Sequence, residues 1–258
     1  MEKRTFVDQM GRSVEVPFPP KRIISLVPSL TELLHDLGLE EEVVGITKFC
    51  IYPENWFKNK QRIGGTKQLN LTDILALKPD LIIGNKEENT QVDIDFLGAR
   101  FPVWMSDIST FDQALKMIHQ VGEICNKSEK AQKLTQSIGE KFNRLGNIGK
   151  GRSALYFIWD KPGFVVGNST FIDSILTKIG FVNGCKLSRY PDFLELPSSN
   201  PDFVFLSSEP FPFKEEHLKK YQLYFPNSKV QFVDGELFSW YGSRMEKASD
   251  YFGTFLES

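Results

Sequence analysis

Apolar and polar positions come in blocks along this chain, and the blocks predict an α/β protein. Arg22 to Val27 is a short apolar run, the pattern of a strand buried in a parallel sheet. Pro28 stops it. Ser29, three residues before Glu32, has the spacing of a capping box for a helix carrying Leu30, Leu33, Leu34 and Leu37 and ending at Gly38. Such a strand delivers the chain into a helix N-terminus at its carboxyl end, where open α/β sheets hold ligands. The same unit is also the ordinary building block of such sheets.

The alternation continues on both sides. Phe6, Val7, Val14 and Val16 around Met10-Gly11 predict a small hairpin over residues 4–18, closed by Pro17-Phe18-Pro19-Pro20. Val43-Val44-Gly45-Ile46 reads as a second strand, followed by a long irregular segment rich in aromatic residues up to Gly64-Gly65-Thr66. Asn70 opens a helix through Ile74, Leu75 and Leu77. Leu81-Ile82-Ile83-Gly84 is a third strand, with Asn85-Lys86-Glu87-Glu88 as the polar loop at its carboxyl end. A helix near 90–98 and the strand Pro102–Met105 complete a βαβαβαβ series.

Two helices follow. Phe111, Leu115, Ile118, Gly122 and Cys125 form one stripe, and Ala131, Leu134, Ile138, Phe142 and Leu145 another. At about 1.5 Å per residue, the second runs nearly 30 Å, enough to traverse a small domain and reach another. The pattern then restarts with the strand Ala154–Trp159, a turn at Gly167-Asn168-Ser169, and a helix from Thr170 to Lys178 ending at Gly180. Asn200-Pro201-Asp202-Phe203-Val204 echoes Lys78-Pro79-Asp80-Leu81-Ile82, and Ser169–Gly180 echoes Ser29–Gly38. Lys229–Asp234 is the last strand and Lys247–Leu256 a closing helix. The fold class expected is therefore α/β, with two similar lobes joined by a long helix: 1–126, 127–149 and 150–258.

Composition fits this reading and narrows the chemistry. The 258 residues suffice for two domains, 41% are apolar, and the net charge of −2 gives no reason to expect nucleic acid as a partner. No run approaches a membrane span, and Met1-Glu2-Lys3-Arg4 leads into no apolar signal segment. Three widely spaced cysteines, Cys50, Cys125 and Cys185, argue against a disulfide framework. His35, His119 and His217 lie on distant elements, so no metal site is expected. Motifs for nucleophilic, phosphate-loop or zinc-dependent catalysis are absent. The aromatic residues are more suggestive: Phe49, Tyr52, Trp56, Trp159, Phe164, Trp240 and Tyr241 fall in predicted loops or at strand ends. Trp240-Tyr241-Gly242-Ser243-Arg244 could form a wall for a large amphipathic ligand, with Asn85 and Lys86 adding polar contacts.

Pro20-Lys21-Arg22-Ile23-Ile24-Ser25-Leu26-Val27-Pro28-Ser29-Leu30-Thr31-Glu32 resembles the opening of the metal-chelate and cobalamin class of ABC-transporter substrate-binding proteins. So do Leu37-Gly38-Leu39 with Val43-Val44-Gly45, Tyr52-Pro53, Gly64 to Leu71, and Leu75 to Ile82. Vitamin B12-binding members are the most similar. The resemblance implies two Rossmann-like lobes with parallel sheets, joined by a long rigid α-helix, with a cobalamin or iron-chelate ligand in the cleft between lobes. The ligand would be cargo, no catalytic cofactor would be required, and the chain would act as a monomer. By position, Phe49, Cys50, Thr66, Asn85 and Lys86 would line the first lobe, and Trp159, Trp240, Tyr241 and Arg244 the second. B12-binding members carry tryptophans where Thr66 and Asn85 stand. Glu195 and Asp73 would serve docking onto the transporter's membrane subunits. The class is periplasmic or membrane-associated, whereas the start of this chain leaves a cytoplasmic cofactor-handling protein or enzyme of the same fold as the alternative. A haem or siderophore ligand, with Tyr241 or Tyr52 giving iron an oxygen ligand, is the other.

Overall fold

The structure is a computed structural model that describes residues 2–196 and 200–256. The chain divides into two compact units. Unit 1 holds the residues up to Ile108, Gln113–Gln136 and Tyr241–Arg244; unit 2 holds Ser109–Asp112, Ser137–Trp240 and the residues from Met245 on.

Unit 1 begins with the predicted hairpin, β1 (Lys3–Val7) paired antiparallel with β2 (Ser13–Pro17). Asp8 closes its turn, accepting from the backbone N–H groups of Met10 and Arg12 and from the Arg12 guanidinium. The core elements follow in the expected order: β3 (Ile23–Ser25), α1 (Pro28–Asp36), β4 (Val43–Ile46), α2 (Glu54–Asn59), β5 (Gln61–Arg62), the small hairpin β6 (Gly64–Gly65) and β7 (Gln68–Leu69), α3 (Leu71–Leu77), β8 (Leu81–Asn85), α4 (Gln91–Gly98) and β9 (Val103–Ser106). β5-β4-β3-β8-β9 form one parallel sheet. Its central strands are fully buried because both faces are covered, which is why they read as unbroken apolar runs. The segment after β4, expected to be irregular, contains the short helix α2. Trp56 anchors that helix: its ring is fully buried, meets His35 edge-on, and its indole N–H donates to Glu40.

α5 (Phe111–Ile124) and α6 (Ser128–Leu145) are the two predicted helices, and the boundary between the units falls within α6, after Gln136. Unit 2 continues with β10 (Ser153–Phe157), α7 (Phe171–Lys178), β11 (Val182–Asn183), a 3₁₀ turn at Phe193–Glu195, β12 (Phe203–Ser207), α8 (Glu215–Tyr224), β13 (Lys229–Val233), α9 (Gly235–Ser239) and α10 (Arg244–Phe252). β11-β10-β12-β13 form its parallel sheet. Under it lies an aromatic core in which Phe157, Tyr221, Phe193 and Phe225 pack ring against ring. The polar stretch containing His217 folds as α8, and α10 starts three residues earlier than the apolar pattern indicates.

The two Pro-Asp echoes perform the same task. Asp80 accepts from the backbone N–H groups of Lys21 and Arg22, both at 2.8 Å, just before β3. Asp202 accepts from the N–H and hydroxyl of Ser153, at 2.7 and 2.8 Å, at the start of β10. In each unit an aspartate just before the strand that pairs with the first fixes the entry of the first. Thr90 and Thr170 likewise each cap a helix by accepting from an aspartate N–H three residues on.

Candidate ligand-binding site

In unit 1 the strand order reverses between β3 and β8, the place where open sheets leave a crevice at their carboxyl ends. Here the chain itself fills it. Tyr241 is buried, and burial pushes its phenol well above the ordinary tyrosine value even with Ser29 and Ser106 beside it. Gly242, at φ +99°, passes close enough to α1 that a Cβ would stand 3.3 Å from the Ser29 carbonyl oxygen. Arg244 (8% exposed) grips Glu32 (5% exposed) with Nε at 2.7 Å from Oε2 and Nη2 at 3.1 Å from Oε1. The capping box expected of Ser29 and Glu32 does not form. The N-cap of α1 is Val27, which makes no side-chain cap bond, and Pro28 takes the first helical turn. Glu32 is instead the buried counter-ion of Arg244.

Several of the expected lining residues turn inward. Asn85 is the last residue of β8, not a loop residue: its amide donates to Ser106 and its carbonyl accepts from the N–H groups of Glu87 and Glu88. Thr66 is buried, its backbone carbonyl held by Asn89. Cys50 is buried between the hydroxyls of Thr31 and Thr47, each 3.1 Å away, and burial raises its thiol. Lys86 reaches outward, and its ammonium lies 2.6 Å from Asp107. The exposed large apolar groups on this edge include Phe49 (51%), Ile51 and Tyr52 (42%), all on the loop after β4. Arg244 stacks over the Tyr52 ring at 4.6 Å.

Unit 2 reverses its strand order between β10 and β12. The loops leaving those two strands carry an aromatic pair across the reversal, Trp159 (40% exposed) and Phe211, with centroids 5.5 Å apart. Beside Trp159, Asp160 fastens its loop to α8: Lys220 donates at 2.6 Å and the Tyr221 hydroxyl at 3.2 Å. Burial alone would raise the Asp160 carboxyl, but Lys220, Tyr221 and the nearby His217 outweigh it and hold it below the usual carboxylate value. Trp240 is half-buried, and its indole N–H donates to Glu209 at 3.0 Å, as does the Ser239 hydroxyl at 2.8 Å. Phe211 and Glu209 were not singled out from the sequence. The only signal was Glu209-Pro210-Phe211-Pro212-Phe213 directly after an apolar strand.

For docking, Glu195 is exposed at the end of the 3₁₀ turn. Asp73 is occupied in the cap of α3, where its carboxylate accepts from the Asn70 amide at 2.6 Å. Among the described residues, no group of three or more His, Cys, Asp and Glu side chains is placed to hold a metal ion. No described helix is long and apolar enough to cross a membrane.

Comparison with known proteins decides what this architecture belongs to. The model of the periplasmic binding protein family matches residues 23–223. The chain belongs to that family. A vitamin B12-binding protein of Pectobacterium carotovorum is 31% identical over 171 residues, covering 64% of this chain and 61% of the relative. An uncharacterized ABC-transporter substrate-binding lipoprotein of Bacillus subtilis is 27% identical over 187 residues, 68% of this chain and 59% of the relative. The chain thus matches about three-fifths of the length of these curated relatives. In fold, this periplasmic binding protein superposes on the petrobactin-binding protein of Bacillus subtilis with a TM-score of 0.82 at 17% identity, over the full length of both chains. The likeness in fold accords with the α/β class read from the strand pattern.

Proposed function

We propose that this protein captures a corrinoid or iron-chelate ligand on the aromatic loops at the carboxyl ends of its two sheets and delivers it to the membrane subunits of an ABC importer. The observation that carries the reading is the exposure of Phe49, Tyr52 and Trp159 on those loops, with Phe211 against Trp159. Large rings left in water at the reversal of a parallel sheet are costly unless they meet an apolar partner, and flat conjugated macrocycles fit them. Relatives that bind vitamin B12 and a neighbour in fold that binds petrobactin support this ligand range. Because no cluster of metal-ligating side chains is present among the described residues, the metal would arrive inside its chelate.

Trp240 and Lys86 border the same edges and would add contacts. Of the two tyrosines considered as iron-side oxygen ligands, Tyr241 is buried, so Tyr52 is the candidate should the ligand be haem. Glu195 is the carboxylate suited to docking, and function as a periplasmic or lipid-anchored receptor follows the relatives. Titration with cyanocobalamin, haemin and ferric siderophores, followed by tryptophan quenching, tests the proposal. At least one should bind more tightly than about 100 µM, roughly 5.5 kcal/mol, and Trp159→Ala should weaken it by about 1–3 kcal/mol. Failure of all three classes to bind refutes the reading.

A further inference from the structure

The cations on the carboxyl edge of unit 1 are not equivalent. Lys86 is neutralised by Asp107 and Arg244 by Glu32. The ammonium of Lys67 is tied to the Glu87 carbonyl. Lys48, directly after β4, differs: among the described residues no carboxylate lies within ion-pair reach of it. Its Nζ lies over the exposed Phe49 ring, 5.1 Å from the centroid. Both side chains lean on the β6–β7 hairpin at Gly65, where a Cβ would come within 3.1 Å of Phe49 Cε2 and 3.2 Å of Lys48 Cε. Gly65 therefore lets the charge and the ring lie side by side on the backbone.

We propose that Lys48 and Phe49 form an anion-recognising subsite: the ligand lays a flat apolar face on Phe49 and sets one anionic oxygen against the Lys48 ammonium. The inference rests on the binding role proposed above. An unpaired ammonium held beside a ring meets an anion without first breaking a protein ion pair, whereas Arg244 would have to abandon a buried carboxylate and Lys86 a solvent-exposed one. The ligand class is thereby narrowed to conjugated macrocycles or chelates carrying a carboxylate or phosphodiester at their rim. Two sources share that chemistry, a macrocycle with propionate groups and a corrinoid with an intact nucleotide loop.

Matched ligand pairs separate the sources and test the subsite: haemin against its dimethyl ester, and cyanocobalamin against dicyanocobinamide, which lacks the phosphodiester. The full chain should prefer the anionic member of at least one pair by tenfold or more in low salt. Lys48→Gln should erase that preference while leaving the affinity for the uncharged member within twofold, and Lys48→Arg should keep it. Gly65→Ala, which displaces both side chains, should weaken both members of the pair. Retention of the preference in Lys48→Gln, or no preference in either pair for the unaltered chain, overturns the subsite but not the binding role. Failure to bind any of the four ligands removes the subsite, and failure of the ferric siderophores as well removes the binding role with it.

Discussion

The Glu32–Arg244 pair should be among the largest single-residue contributors to the stability of unit 1. Both side chains are nearly excluded from water, and the guanidinium makes two bonds to one carboxylate, at 2.7 and 3.1 Å. Replacing one partner leaves the other charge buried without its counter-ion, which costs about 3–5 kcal/mol. The stacked Tyr52 ring offsets roughly 0.5–2 kcal/mol of this when Arg244 is the survivor. Glu32→Leu should therefore destabilise by about 2–4 kcal/mol and Arg244→Met by about 3–5 kcal/mol. The double variant Glu32→Leu/Arg244→Met should fall within about 1.5 kcal/mol of the unaltered protein, since apolar residues of similar volume can replace a buried ion pair. Urea unfolding in a Trp159→Phe/Trp240→Phe background reports unit 1 alone, because Trp56 and Trp104 then supply the fluorescence. Single variants that each cost under about 1 kcal/mol, with additive effects in the double, would show a screened surface bridge instead.

Asp160→Asn should lower thermal stability at neutral pH, because the aspartate's folded-state pKa is depressed. A depressed carboxylate contributes stability above its unfolded value of about 3.9 and loses it as pH falls further. The melting difference between variant and parent should thus shrink below about pH 4, and a difference that widens there contradicts the assignment. Cys50, Cys125 and Cys185 are buried, and desolvation raises each thiol. A thiol-specific chromogenic reagent at pH 8 should find no fast-reacting thiol in the native protein and three after unfolding in urea; rapid native labelling would place a cysteine at the surface.

What was legible in the sequence is what local physics dictates. Buried parallel strands have to be apolar on both faces, so β3, β8, β10 and β12 stand out as runs. Asn70, Thr90 and Thr170 mark helix starts because a side-chain oxygen there satisfies a free N–H. The Pro-Asp echo was readable as a repeat because the same backbone problem, fixing the entry of a first strand, recurs in both halves. α8 was missed because its stripe is weak: of its residues only Tyr221 is buried, while Leu223 and Tyr224 face solvent. α2 was missed because six residues, opened by Glu54 after Pro53 and pinned by one tryptophan, carry too little periodicity to declare a helix.

The candidate site was less legible, for a different reason. A loop residue can be recognised as aromatic or charged from its letter, but whether it is available depends on partners far away in the chain. Ser29-x-x-Glu32 has the spacing of a capping box, yet Glu32 is claimed by a guanidinium 212 positions later, and Tyr241 fills the crevice the opening unit creates. Lys86 and Arg244 look like ligand-facing cations until Asp107 and Glu32 are found beside them. Lys48 drew no notice in the sequence because nothing adjacent distinguishes it. Its interest lies in what is missing among the described residues, a carboxylate within reach, and in a glycine 17 positions on that brings its stem and a phenylalanine ring together. Ligand-facing charge in such a fold is thus a residue of the protein's own ion pairing, and is found by accounting for every cation on the edge.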